Sequence, residues 1–419
     1  MDLTSLKAAR SIDVDAAADG WMELSKESWQ AVNDIHANGV DPLKDDWKDR
    51  VGEAAGRKLE EQAQILEAGA DLTRSVAMIL DGLSAEITRA KLTMQAGLDL
   101  AQNHGLAVDM ATAQVRDSAG SVSPDAAAAA QEVNALLREA LREAEQADHQ
   151  AAAELRKLGA ATTLKSPDAA LNEQYAVSRL ELAMYSGGIP DGKDPRLVAD
   201  WWNALPDSQK KQLMLSDPVT LANLPGIPED VKQNVRGGPG AKYDRVKAVQ
   251  WAMEHWNDNS GDFEGEENCT NFVSEALHQS GMKFKGWNTM DGDGWFRGGG
   301  SSGLGSWVDG VIPGHTHAWG GAQNQHDFML KHGGQEISPD QVRPGDIVYY
   351  EEDAEGTDVP KGQIFHTAIV TAVTPRGDIR YTAHNGSKLN ASVEGRLPSF
   401  EESRGHLKVH YVRVNPDWY

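Results

Sequence analysis

The 419-residue chain contains one cysteine, Cys269, and that thiol is the first place to look for chemistry. Without a second cysteine there can be no intramolecular disulfide and no thiolate-rich zinc or iron–sulfur site. A lone thiol is either a small buried hydrophobe or a nucleophile, and its neighbourhood must decide. The segment GEENCTNFVSEALHQSG places Cys269 at the start of a helix, with Phe272, Val273, Ala276 and Leu277 as the buried face and Gly281 as the stop. A thiol in a first helical turn sits among backbone N–H groups that lack intrahelical acceptors, at the positive end of the helix dipole. Both effects favour thiolate over thiol. The same N–H groups, together with Asn268, are candidates for an oxyanion hole.

A thiol nucleophile needs a base, and the base needs an orienting partner. His366 opens the strand-like run FHTAIVTAV, and His384 ends the next one, IRYTAHNG. An antiparallel hairpin brings the start of one strand beside the end of the next, so both histidines can meet at one edge of a sheet. His366 would then take the thiol proton, and His384 or Asn385 would hold its ring through the other nitrogen. Taken singly, each histidine reads better as a hydrogen-bonded core or surface residue. The pair framing one hairpin, with the only cysteine at a helix start, favours chemistry.

The elements that must position these residues lie in 241–419. Here Gly and Trp rise, Ala falls and β-branched runs appear. A helix is expected at 243–256 and a second from Cys269, followed by a Gly-rich stretch to about 305. Four strands are expected, at Asp346–Glu351, His366–Val373, Asp378–His384 and Leu407–Val414, with a turn at Pro375-Arg376-Gly377. Helices first and an antiparallel sheet afterwards make an α+β domain.

Residues 166–240 read as a helical connector. Trp201, Trp202, Leu205, Leu213, Leu215, Leu221 and Leu224 can pack as short helices between turns at Pro206 and Pro218, and Gly237-Gly238-Pro239-Gly240 is a breaker and a domain boundary. Residues 1–165 read as all-α. From Leu59 to Met94 apolar or small residues recur at steps of three and four, interrupted by Thr73, and Asn103, His104 and Gly105 end the pattern. A helix over about Val14–Ala37 precedes it, stopped by Asn38-Gly39 and Asp41-Pro42. Another runs over Asp125–Leu158, and 106–124 is a loop with a short strand pair. A lone helix cannot bury such a stripe, which implies an antiparallel bundle; a plain helical spacer is the alternative.

The words ENCTNFVSEAL, RPGDIVYY, HTAIVTAV and YTAHNG resemble the amidase domain of bacterial secreted proteins, a branch of the NlpC-type, papain-like cysteine peptidase superfamily. The resemblance covers residues 243–419, with Trp251 and Trp256 on the preceding helix. It implies a papain-like fold with Cys269 as nucleophile, His366 as base and His384 as third member of the triad. Asn271 and Asp346 match recurrent positions and are expected to be structural. The long segment 286–325 departs from the family pattern, is Gly-rich, and is expected to line or cover the cleft. The front half loosely resembles the Trp-x-Gly helical-hairpin substrates of type VII secretion in actinobacteria. In Trp47-Lys48-Asp49, however, Asp49 replaces the glycine, and no clear Tyr-x-x-x-Asp/Glu export signal appears.

Net charge is −23, from 40 Lys+Arg against 63 Asp+Glu, which argues against a nucleic-acid partner and against docking on an anionic membrane. No run approaches the roughly 20 apolar residues of a membrane span, and the N-terminus lacks the apolar core of a Sec signal. The expectation is a protein secreted without one, or a cytoplasmic one. His315, His317, His326 and His332 lie close in sequence without a third ligand at zinc spacing. The DGDGW run at 291–295 lacks the remaining acids of a calcium loop, and Gly298-Gly299-Gly300 precedes no helix of phosphate-loop type. No metal and no cofactor are expected. The chain is expected to be a cysteine amide hydrolase of a multidomain fold, acting on a peptide or peptidoglycan, or a toxin with an immunity partner. A helical interaction protein engaging a secretion system, or a deamidase or acyl-transferase with the same triad, are the alternatives.

Overall fold

A computed structural model describes residues 1–117, 124–160, 166–190, 192–258, 268–298, 314–353, 359–384, 388–394 and 407–419. The chain divides into two compact units, Met1–Gly188 and Ile189–Tyr419. The segment 166–240 is shared between them, and Gly237–Gly240 forms turns inside the second.

The first unit contains α1 (Leu3–Ala8), α2 (Ser11–Ile35), α3 (Asp41–Asp46), α4 (Arg50–Asn103), α5 (Pro124–Ala160) and α6 (Pro167–Ser186). A strand pair, β1 (Leu106–Val108) with β2 (Val115–Asp117), joins α4 to α5. Helix α4 is the centre, packed by α2, α5 and α6. Ser25 Oγ donates to the Ala70 carbonyl at 2.8 Å and Lys91 Nζ to that of Ala9 at 2.7 Å, so α2 runs antiparallel to α4. Gly97 lies against Leu136 and Leu137, while Met78 clusters with Leu158, so α5 is antiparallel too. Gln174 Nε2 donates to Asp71 Oδ1 at 3.2 Å and Gly82 abuts Met184, which makes α6 parallel to α4. With neighbours on three sides, α4 buries more than its apolar stripe: Asp71, Arg74, Ser75 and Asp81 are buried as well.

The stop expected after Ala37 does not occur. Residues His36–Val40 form a π-helical turn that leads directly into α3. Burial of His36 and Val40 holds this turn, and Gly39 fits against Leu59 where a Cβ would lie 2.8 Å from its side chain. Pro42 stands at the start of α3, directly after the π-turn. Asp49, which breaks the Trp-x-Gly word, caps α4 by accepting from the N–H groups of Val51 and Gly52 at 2.8 and 3.0 Å.

The second unit opens with α7 (Pro195–Ala204), α8 (Asp207–Ser216), α9 (Pro218–Asn223) and α10 (Glu229–Val235). They enclose Val198, Trp202, Leu213, Leu221, Leu224 and Ile227. Next come α11 (Arg245–His255), α12 (Cys269–Gln279), α13 (His317–Gly320) and α14 (Ala322–Lys331). The sheet has the order β3-β8-β4-β5-β6-β7, every pairing antiparallel. Its strands are β3 (Gln335–Ile337), β4 (Ile347–Glu352), β5 (Ile364–Val373), β6 (Ile379–Ala383), β7 (Lys388–Ser392) and β8 (Leu407–Arg413). The four expected strands are present; β3, β7 and α14 are additional. The described part of 286–325 is not merely a cleft lining, because it carries Trp295 and Trp319 into the core beside Phe272, Ile347, Tyr349 and Val412.

Candidate active site

Helix α12 exists because its apolar residues are spaced for one face. Phe272, Val273, Ala276 and Leu277 are all fully buried, each large side chain contributing about 1.5–3 kcal/mol relative to exposure. Gly281, at φ +104°, ends the helix in a conformation other residues resist. That packing fixes the helix start, and therefore Cys269, against β5.

His366 lies on β5 opposite Tyr350 of β4 and packs against its ring, with centroids 5.6 Å apart. The register shifts between Tyr350 and Glu351, so Phe365 is an extra residue immediately before His366. Such a bulge re-aims the side chain beside it. Burial alone would push the Cys269 thiol up. The charge of His366 and hydrogen bonds from its ring, from the Thr270 hydroxyl and from the Thr367 N–H outweigh that, and the thiol is held below its ordinary range. Cys269 Sγ and Thr270 Oγ1 are 3.6 Å apart. The structure therefore places His366 close enough to Cys269 for its charge to bear on the thiol, with Thr367 as an unforeseen contributor.

His384 follows β6 and is buried. Its Nε2 bonds the backbone carbonyl of Asp258, and its ring tilts against Phe272 at 5.8 Å. A carbonyl oxygen only accepts, so Nε2 carries a proton on that side. Asn385 lies outside the described residues. Asn268 is the N-cap of α12 without a capping hydrogen bond from its side chain, and its Oδ1 accepts from Asn271 Nδ2 at 3.5 Å. Asp346 is fully buried at the start of β4, away from the sulfur. It accepts from Arg245 Nη2 at 2.6 Å, Arg413 Nη2 at 2.9 Å and the Arg343 N–H at 3.0 Å, tying α11 and β8 to β4.

Sequence reasoning missed Gln325 on α14. Its side chain is fully buried: Oε1 accepts from Tyr349 OH at 3.0 Å, while Nε2 donates to Ser274 Oγ at 2.7 Å and to the Thr270 carbonyl at 3.4 Å. Ser274 Oγ in turn donates to the Trp319 carbonyl and accepts from Trp295 Nε1. This network clamps the first two turns of α12. The signal was present as a glutamine three residues from Ala322 and Phe328, a polar residue on an apolar helical face.

Among the described residues no group of three or more His, Cys, Asp or Glu could hold a metal ion. His315 bonds the Thr316 carbonyl, His326 and His332 bond Asp327 and Asp293, and Asp293 of the DGDGW run also pairs with Lys285 and Lys331. No described helix is long and apolar enough to cross a membrane.

Residues 242–407 match the family described as "Putative amidase domain". The second unit carries an amidase-like domain. The amidase-like segment contains Cys269, His366 and His384. The chain is also 28% identical over 141 residues to "Uncharacterized protein YhbB" of Bacillus subtilis, an alignment that covers 32% of this chain and 39% of that protein. No solved structure matches the chain.

Proposed function

We propose that the amidase-like domain is a cysteine hydrolase of papain-like, NlpC type, with Cys269 as nucleophile. The observation that supports this reading is a buried cysteine at the start of α12, its Sγ 3.6 Å from Thr270 Oγ1, with the charge of buried His366 among the causes that hold its thiol below the ordinary range. The Cys269 thiolate attacks the substrate carbonyl carbon, and the oxyanion is received by first-turn N–H groups at Asn268–Asn271. The His366 imidazolium gives its proton to the leaving amine as the C–N bond breaks. Water then attacks the thioester, His366 takes its proton, and the acid is released with the thiol restored. In this reading His384 is the third member, anchored by its Nε2–H on the Asp258 carbonyl, and Nδ1 is the atom it would offer to the His366 ring.

Cell-wall peptides and protein glutamine side chains are the two candidate substrates. Purified protein and the Cys269→Ala and His366→Ala variants are to be assayed on peptidoglycan and on casein-like protein, following new amino groups and released ammonia separately. Turnover that both variants retain would end the reading. Amine release supports a peptidase, and ammonia release supports the deamidase form of the same chemistry.

The helical unit is read as an interaction module, in keeping with its loose likeness to type VII secretion substrates. Trp21, Leu24, Trp47, Val51 and Ile65 expose 39–61% of their surface, an unusual set of large apolar groups on helices α2 and α4 and the turn between α3 and α4. Export, a secretion partner and an immunity protein are tested by co-purification with the whole chain.

A further inference from the structure

At the other end of β4 from His366 lies a cavity of about 170 Å³ bounded by Tyr243, Arg245, Gln335, Arg343, Arg413 and Asn415. Three guanidinium groups, Arg245, Arg343 and Arg413, stand beside one buried carboxylate, Asp346. Arg245 and Arg413 take up both oxygens of that carboxylate, which leaves it nothing to offer the Arg343 side chain. Arg343 meets Asp346 only through its backbone N–H. Its side-chain Nε is buried and has no hydrogen-bond acceptor among the described residues. Lys242, which also borders the cavity, is engaged by the Tyr419 carbonyl.

A buried donor without an acceptor is costly, and the local imbalance is two positive charges in a chain whose net charge is −23. Burial, and then the like charges of Arg245 and Arg413, hold the Arg343 guanidinium below its ordinary range. An incoming anion would remove both costs. Guanidinium forks match the oxygens of phosphate geometrically and suit partly dry sites. The volume admits a single tetrahedral oxyanion.

We propose that this cavity is a binding site for one phosphate-type oxyanion, held by Arg343 with Arg245 and Arg413 behind it. It is separate from the Cys269 centre and does not depend on the hydrolase reading. Thermal unfolding of the full chain in potassium phosphate, at an ionic strength fixed with chloride, tests it. Binding to the native state raises the melting temperature of the unit by mass action, here by about 3 °C at tens of millimolar phosphate, with saturation. Arg343→Gln removes no ion pair, so in chloride it melts no lower than wild type, and its phosphate-dependent rise is lost. Arg343→Lys keeps charge without the fork and retains a smaller rise, which decides the comparison should the glutamine variant fold poorly. Glycerol 3-phosphate in the same assay distinguishes a free ion from a phosphate monoester. A saturable rise with either compound that Arg343→Gln abolishes supports the site. No saturable rise in wild type, or an equal rise in Arg343→Gln, overturns it.

Discussion

The two units bury polar side chains for different ends. In the helical unit, Ser25 on the Ala70 carbonyl, Gln174 on Asp71, and Arg89 on the Met184 carbonyl each link one helix to another. These bonds set register, and they stop there. In the amidase-like unit, Tyr349, Gln325, Ser274 and Thr270 form a continuous network whose last member stands beside a sulfur. A buried polar group thus indicates packing or chemistry according to what lies at the end of its hydrogen-bond chain.

Removing groups from each unit should separate these roles. The largest effect is expected from Cys269→Ala, which should lower turnover of a peptide amide by about 10⁴-fold or more while the circular dichroism spectrum stays unchanged. A core truncation in the other unit should do the reverse. Leu137 is fully buried against Gly97, so Leu137→Ala should cost about 2–5 kcal/mol of that unit's stability in denaturant unfolding. Turnover per folded molecule should not change.

Gln325→Met lies between these extremes. It keeps the volume but leaves Tyr349 OH and Ser274 short of a partner and loosens the first turns of α12. We expect kcat to fall about tenfold to a hundredfold with KM little changed, and the thiol to titrate closer to a free cysteine. A loss confined to stability, with kcat intact, would make Gln325 a packing residue like Gln174.

The smallest effect is expected at Asp293, half exposed and bonded by Lys285, Lys331 and His332, which hold its carboxyl far below the usual range. A depressed carboxyl contributes stability above its unfolded pKa of about 3.9, and that contribution disappears as pH falls through the folded value. Asp293→Asn should therefore melt slightly lower at pH 5–7, by about 0.5 kcal/mol after allowance for solvent screening. The difference should begin to shrink below about pH 4 and close only as pH falls through the folded value.

What the sequence made legible follows from how local each signal is. Helices α4 and α5 were readable from spacing alone, and α12 from four apolar residues, a first-turn cysteine and a terminal glycine. The π-turn at His36–Val40 was not, because burial against Leu59 overrode an Asn-Gly breaker. Strand β3 is only three residues long. Strand β7, KLNAS, buries Lys388, Asn390 and Ser392, so no apolar alternation marks it. At the site, Cys269 and His366 could be paired from a helix start and a strand start. Gln325 and Arg343 could not, since each gains its meaning from partners 50 to 100 positions away, such as Ser274 and Arg245.

The central claim is that His366 activates Cys269, and the rate of iodoacetamide alkylation of Cys269 between pH 5 and 10 tests it most directly. Wild-type protein should show its inflection below the value of about 8.5 for a free thiol. In His366→Ala the lowering partner is gone while burial remains, so the inflection should move to 8.5 or above. Identical profiles for the two proteins, with inflection near that of free cysteine, would contradict the account.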